Sequence, residues 1–330
     1  MTRIAKQFFC FFVYLGLLLA IASYVHAAAE DAASPGFVSA PATPSSGHDS
    51  AAPDVAAPVP GKRELCASGP APKVEDSVDL GSLDAETRVD LQCLRSSYPQ
   101  ITGLASDAEG LWLLLGDRGR VLYGRYAPAK SIAGGQNMAE VWDVDVRTSM
   151  ADPYPLEPER PDTPYGVSPG RKRSYDFLVA LYGGTPAQVN KQLVPARLVG
   201  QPLRLSSPAG MALAATDVVL VEAVRNDPQL RAFLKMEGGF MWRRIAGESR
   251  LSPHAFGIAI DLSSRLAPYW RWSKLRPHPL QFSYPPAIVD AFEQAGFIWG
   301  GKWHEYDIMH FEYRPELVCK ARALRHKFAR

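Results

Sequence analysis

The chain has 330 residues, 47% of them hydrophobic, with 36 Lys and Arg against 34 Asp and Glu. That length and apolar content sustain a sizeable core in one or two domains. The near balance of charge excludes a nucleic-acid partner held by net charge.

At the start, Arg3 and Lys6 precede an apolar run from Phe8 to about Ala22, and Val25-His-Ala27 offers a small-residue cleavage site. Residues 1–27 therefore read as a secretory signal peptide, with an uncleaved membrane anchor as the alternative. Cys10 lacks the Leu-Ala-Gly-like setting of a lipoprotein. Cleavage removes two basic and no acidic residues, leaving 34 against 34. The expectation is an exported protein, periplasmic or in the cell envelope, touching a membrane only through this segment if it is kept. Cys66, Cys93 and Cys319 then remain, enough for at most one internal disulfide, and their spacing does not say which pair. Residues 28–62 are rich in Ala, Pro, Ser and Gly and bury too little apolar surface to order, so they read as a disordered linker.

Folded sequence begins near Cys66. Leu111–Leu115, a Gly116–Gly119 turn and Val121–Tyr123 predict a β-hairpin. Asp143 and Asp145 flank Val144 and read as turn carboxylates, with metal ligation as the alternative. The Pro-rich stretch 152–169 reads as a surface excursion. Tyr175–Leu181 predicts a helix ending at Gly183-Gly184. Another is expected from Asp217 to Val224, capped by Thr216 or Asp217, and Asp227-Pro228 opens a further helical segment through Leu234. Gly238-Gly239 breaks that segment. Phe240–Ile245 reads as a strand, which sets Arg243 and Arg244 on opposite faces. An aromatic loop carries Tyr269, Trp270 and Trp272. A helix from Pro285-Pro286 through Gln294 stops at Gly296, and Phe297–Trp299 and His310–Tyr313 are the last strands. Helices and strands mix without a βαβ repeat, which predicts an α+β fold with a small, mostly antiparallel sheet and flanking helices.

The chemistry concentrates in Ser252-Pro-His-Ala-Phe-Gly-Ile-Ala-Ile-Asp261. His254 lies in a loop feeding a strand in which Ile258 and Ile260 alternate with Ala259 and Asp261. Gly257 and Ala259 are small and leave the carboxylate's face open. Asp307-Ile-Met-His310-Phe-Glu-Tyr313 is the candidate second half of a site. Two imidazoles and one carboxylate, from His254, Asp261 and His310, suit one Zn2+ and leave a fourth tetrahedral position for water. Zinc held in this way acidifies water and polarises a carbonyl. A peptidase also needs a base, and Asp307, three residues before His310, is the candidate. Glu312 is the alternative base, or a partner of His310 on the same strand face. His304 is a lesser candidate, while His278 and His326 read as packing or surface residues.

The two stretches resemble the zinc D-alanyl-D-alanine carboxypeptidases and L-alanyl-D-glutamate endopeptidases of bacterial cell walls and phage lysins. That family's pattern is S-x-H-x-x-G-x-A-x-D followed by D/E-x-x-H. Here it is Ser252, His254, Gly257, Ala259 and Asp261, then Asp307 and His310. Gly296-Phe-Ile-Trp-Gly-Gly-Lys-Trp303 and Met309–Leu317 are similar to the endopeptidase-like branch. Phe240-Met-Trp-Arg243 resembles a segment whose arginine meets the substrate, although Met241 departs from the Asn or small polar residue often found after that Phe. The likeness covers about 240–317 and weakens back to about Cys93.

The resemblance implies a Hedgehog/DD-peptidase-like zinc peptidase fold in a single domain, 63–330, with the zinc-site core at about 205–318. It implies His254, Asp261 and His310 as ligands and Asp307 as general base. Arg243 would hold the substrate's carboxylate or polarise its carbonyl, a task for a planar fork of donors. Ser252 would order its loop through a local side-chain bond. Trp299, Trp303 and Tyr306 would wall the cleft, with core packing as the alternative for Trp299. The expected activity is hydrolysis of peptidoglycan stem peptides; a non-catalytic wall-binding domain that keeps the metal site is the alternative.

Overall fold

The structure, a computed structural model, describes residues 78–126, 144–158 and 166–328. The signal segment 1–27, the linker 28–62, Cys66, Asp143 and part of the Pro-rich stretch lie outside the described residues.

Helix α1 (Ala85–Ser97) starts where the Asp84 carboxylate accepts the backbone N–H groups of Glu86 and Thr87, which otherwise lack partners in a first turn. Next in the chain is an antiparallel meander of β1 (Gly103–Ser106), β2 (Gly110–Leu114) and β3 (Arg120–Arg125). The expected hairpin is its second half. Asp145 caps a single helical turn by accepting the Thr148 N–H. Helix α2 (Tyr175–Tyr182) lays Phe177, Leu178 and Leu181 into one core with Leu91, Leu94, Leu113 and Tyr123.

A second hairpin, β4 (Leu193–Leu198) and β5 (Gln201–Ser206), turns at Val199 and Gly200, both at positive φ, as a two-residue turn demands. Pro195 and Pro202 hide these strands in the sequence, because proline is expected only at an edge. Helix α3 (Ser207–Asn226) begins well before the expected Asp217. Pro208 sits in the first turn, where its missing N–H loses nothing. Asp217 is therefore no cap. It lies mid-helix, and its carboxylate accepts the Val199 N–H from the hairpin turn. Asp227 does cap the next segment, but Pro228–Ala232 is a short 3-10 turn.

The third sheet has the order β6 (Ala259–Asp261), β8 (His310–Tyr313), β7 (Phe297–Trp299), all antiparallel. Helix α4 (Pro286–Gln294) packs on it: Phe292 stacks on Phe311, with ring centroids 4.2 Å apart. The closing helix α5 (Pro315–Phe328) is stapled to α1 by a Cys93–Cys319 disulfide. The arrangement is α+β, small antiparallel sheets with flanking helices, as the irregular element order implies.

Phe240–Ile245 is not a strand. Its backbone is shared among three neighbours: the Phe240 N–H goes to Arg204 O, the Met241 N–H to His254 O, and residues 243–245 make a single bridge to 250–252, with Arg243 O accepting from Ser252 and the Ile245 N–H going to Arg250 O. Bonds divided in this way do not form a ladder on one partner.

Candidate metal centre

The register of β6 against β8 brings the two distant motifs together. Asp261 stands directly opposite His310. His254 comes from a 3-10 turn, Pro253–Phe256, that ends at Gly257 in the left-handed region with φ 66. That glycine has a reason other than leaving the carboxylate exposed. A Cβ there would lie 2.6 Å from Leu193 Cδ2 and 2.8 Å from Ser206 N, so the β4–β5 hairpin closes on it. Ser252 orders the turn through its backbone, its carbonyl accepting the Ala255 N–H, and makes no side-chain cap bond.

One ligand atom from each of His254, Asp261 and His310 lies within 4.8 Å of the others. The partners of the rings decide which nitrogen faces inward. His254 Nδ1 lies 2.8 Å from Gly239 O, a group that only accepts, so Nδ1 carries the proton. Nε2 is then a lone pair, buried, without a hydrogen bond, and 3.0 Å from Asp261 Oδ2. On the other side, His310 Nε2 faces Glu312 Oε2 at 3.4 Å, and Nδ1 lies 3.0 Å from Asp261 Oδ1. With the His310 proton on Nε2, toward Glu312, both carboxylate oxygens of Asp261 meet nitrogen lone pairs. Acceptor facing acceptor is satisfied by a cation, and two imidazoles with one carboxylate fit a single divalent ion of borderline softness.

Without such an ion, protons do the work. Burial pushes the Asp261 carboxyl up, but His254 and His310 pull it well below the usual carboxylate range. Burial also lowers His310, yet bonds to Asp261 and Glu312 outweigh it and hold the ring up at about 9.

Glu312 is tied to cations behind the site. It is fully buried, receives Arg173 through Nε at 2.9 Å and through Nη2, and so serves as the partner that orients His310. Burial raises its carboxyl, and Arg173, with His310 and Arg314, then drags it well below the usual range. Asp307 differs. Chiefly burial, with the Asp261 charge, pushes its carboxyl up to about 6 against the pull of His310, Arg171 and His254. Its Oδ1 is buried and makes no hydrogen bond among the described residues. Gly300 makes room for it, since a Cβ there would meet Asp307 O at 2.5 Å.

Arg243 comes to the centre although its strand does not exist: Nη2 lies 4.0 Å from Asp261 Oδ2, and the side chain is 43% exposed. Arg244 turns away, bonding Ser249 O. Trp299, Trp303 and Tyr306 are core residues rather than cleft walls, all buried. Of these, Trp303 backs the site, with its ring 5.8 Å from that of His310. His304 is outside the three-residue group, and His278 packs on Tyr306. Reading the sequence missed Gly239, whose contribution is a carbonyl, and Arg173, whose only signal was a cation in an irregular segment.

By fold and donor set this is an α+β protein in which His254, Asp261 and His310 could hold one metal ion, with a buried acid beside them. Residues 246–313, which carry all three ligand candidates and Asp307, match the family model described as D-alanyl-D-alanine carboxypeptidase. The matched segment is the one whose motifs resemble that peptidase family. No curated protein and no solved structure matches the chain significantly.

Proposed function

We propose that the protein is an exported zinc peptidase acting on peptidoglycan stem peptides, of the D-alanyl-D-alanine carboxypeptidase or L-alanyl-D-glutamate endopeptidase type, with a Hedgehog/DD-peptidase-like fold. The observation that supports it most is that His254 Nε2 and His310 Nδ1 each lie 3.0 Å from one of the two oxygens of Asp261. Zinc is the cation such a donor set favours, and when bound it supplies Lewis acidity and acidified water.

The residues have separable parts. His254, Asp261 and His310 hold the ion. Asp307, with a carboxyl raised to about 6, takes a proton from the attacking water near neutral pH and returns it to the leaving amine. Arg243 offers its guanidinium to the substrate's carboxylate or to the carbonyl oxygen that gains charge. Glu312, held by Arg173, keeps the His310 proton on Nε2 and its lone pair pointed inward.

The same reading assigns residues 1–27 to a signal peptide, 28–62 to a linker and 63–330 to the peptidase domain. A Cys93–Cys319 disulfide agrees with export to an oxidising compartment. The test is metal content of the purified protein combined with mass spectrometry of digested muropeptides. One zinc per chain with a shortened or split stem peptide is the expected result. Stoichiometric metal without any product would favour the wall-binding alternative.

A further inference from the structure

The strap after β6 is unlike the rest of the chain. Residues 262–289 contain four Lys or Arg, at Arg265, Arg271, Lys274 and Arg276, and no Asp or Glu. All four cations are exposed, and none meets a carboxylate among the described residues. Within the strap, the broad Trp272 side chain is 68% exposed.

Register ties this strap to the reacting centre. Tyr269 pairs with Asp307 in an antiparallel bridge, flanked by Trp270 N–H to Tyr306 O at 2.9 Å and Ile308 N–H to Pro268 O at 3.3 Å. Residues opposed in such a bridge send their side chains to the same face. The Tyr269 side chain therefore rises beside that of Asp307. The Trp272 ring meets the Tyr269 ring edge-on at 5.7 Å, which extends the aromatic surface outward from Asp307. Trp270 also meets the Tyr269 ring, with centroids 6.0 Å apart, but is less exposed than Trp272. Arg271 and Arg276 lie over its ring at 5.3 and 4.9 Å and clamp the strap.

We propose that Tyr269 and Trp272 form a saccharide-binding wall beside the reacting centre, so that the protein acts on stem peptides still joined to their glycan rather than on free peptides. This rests on the peptidase reading above and adds the substrate's attached sugar to it. Broad aromatic faces with one wet side take a sugar ring on its apolar face and leave its hydroxyls solvated. The cations around them, with no carboxylate of their own, complement a polymer carrying carboxylates. A lipid surface also attracts tryptophan and cations, but it gives no reason for the wall to share a face with Asp307. Since Tyr269 directly opposes Asp307, the sugar sits within a residue or two of the bond that is cut. That favours the peptide bond nearest the glycan.

The experiment uses the full chain with its metal and two readouts. The first is kcat/KM for a disaccharide-linked stem peptide against the same peptide free. The second is the change in tryptophan fluorescence on adding peptide-free glycan strands. The linked substrate is expected to be better by about ten-fold, the effect of one good aromatic contact. Trp272→Ala should bring that ratio close to one, mostly through KM, and abolish the fluorescence response. Phe282→Ala, equally a loss of an exposed ring at 48% exposure, should keep both. Equal kcat/KM for the two substrates, or a ratio that survives Trp272→Ala, overturns the proposal. So does a Trp272-dependent response to anionic phospholipid vesicles with none to glycan. Glycan binding that depends on Trp272 in a protein that hydrolyses neither substrate would uphold the wall and overturn the peptidase reading instead.

Discussion

Glu312 and His310 stand two residues apart on β8, with Oε2 of the one 3.4 Å from Nε2 of the other, and Arg173 closes the far side of the carboxylate. A lone imidazole has two equivalent ways to hold its proton. Here each nitrogen faces a carboxylate, so a cation taken up on the Asp261 side would leave the proton on Nε2, held by Glu312. Glu312→Gln should therefore weaken metal affinity by about 10- to 100-fold. Competition with a chromogenic chelator measures this directly. Arg173→Met should be worse for the fold, since it removes the nearest cation from the fully buried Glu312 and leaves it Arg314 at 3.6 Å and His310 at 3.4 Å, at a cost of up to about 3–5 kcal/mol. Denaturant unfolding of the two variants separates the effects.

Asp307→Asn should keep the metal and lose about 10²- to 10⁴-fold in turnover, the usual share of a proton-transfer group. Metal analysis beside a product assay checks both halves. Normal hydrolysis by the Asn variant would remove Asp307 from the base's role.

The pH dependence comes from the sign of the Asp307 shift. A base works deprotonated, and burial raises this carboxyl to about 6. Activity should be full above that value and fall as pH drops through it, and a cation bound nearby moves the limb to lower pH. The acid limb of kcat/KM is the measurement.

Metal uptake should release a proton. His310 is held up at about 9 by its carboxylate neighbours, so it is protonated at neutral pH in the metal-free protein and must become neutral to ligate. Calorimetric titrations in buffers of different ionisation enthalpy should show close to one proton leaving per ion near neutral pH. Affinity should weaken steadily as the medium is acidified.

The Cys93–Cys319 bridge joins α1 to α5 across a sequence separation of 226 residues. Replacing both cysteines by alanine should lower stability by roughly 2–5 kcal/mol, because the unfolded chain is no longer looped. The site draws on neither helix, so metal affinity should hold. Thermal melts with and without added metal test the two claims separately.

The chemistry of the site was written locally. His254 and Asp261 are seven residues apart across one turn and one strand, and Asp307 and His310 are three apart. Short spacings with fixed φ/ψ leave few places for those side chains to go. Periodicity likewise announced β7, β8 and α4 within a residue or so. Local pattern misled wherever a neighbour overrode local preference. Phe240–Ile245 looks like a strand but has its backbone bonds divided among β5, residues 250–252 and the His254 turn. The hairpin β4–β5 looks too rich in proline and is paired all the same.

By itself, then, the sequence named the candidate donors and their order, since ligand type is a property of single side chains. Only the tertiary structure decided the rest. It set Asp261 opposite His310, held the His254 ring through the Gly239 carbonyl, and joined Cys93 to Cys319. It also stood Tyr269 beside Asp307. Each of these depends on residues far apart in the chain meeting within a few ångströms, and no local pattern encodes such a meeting.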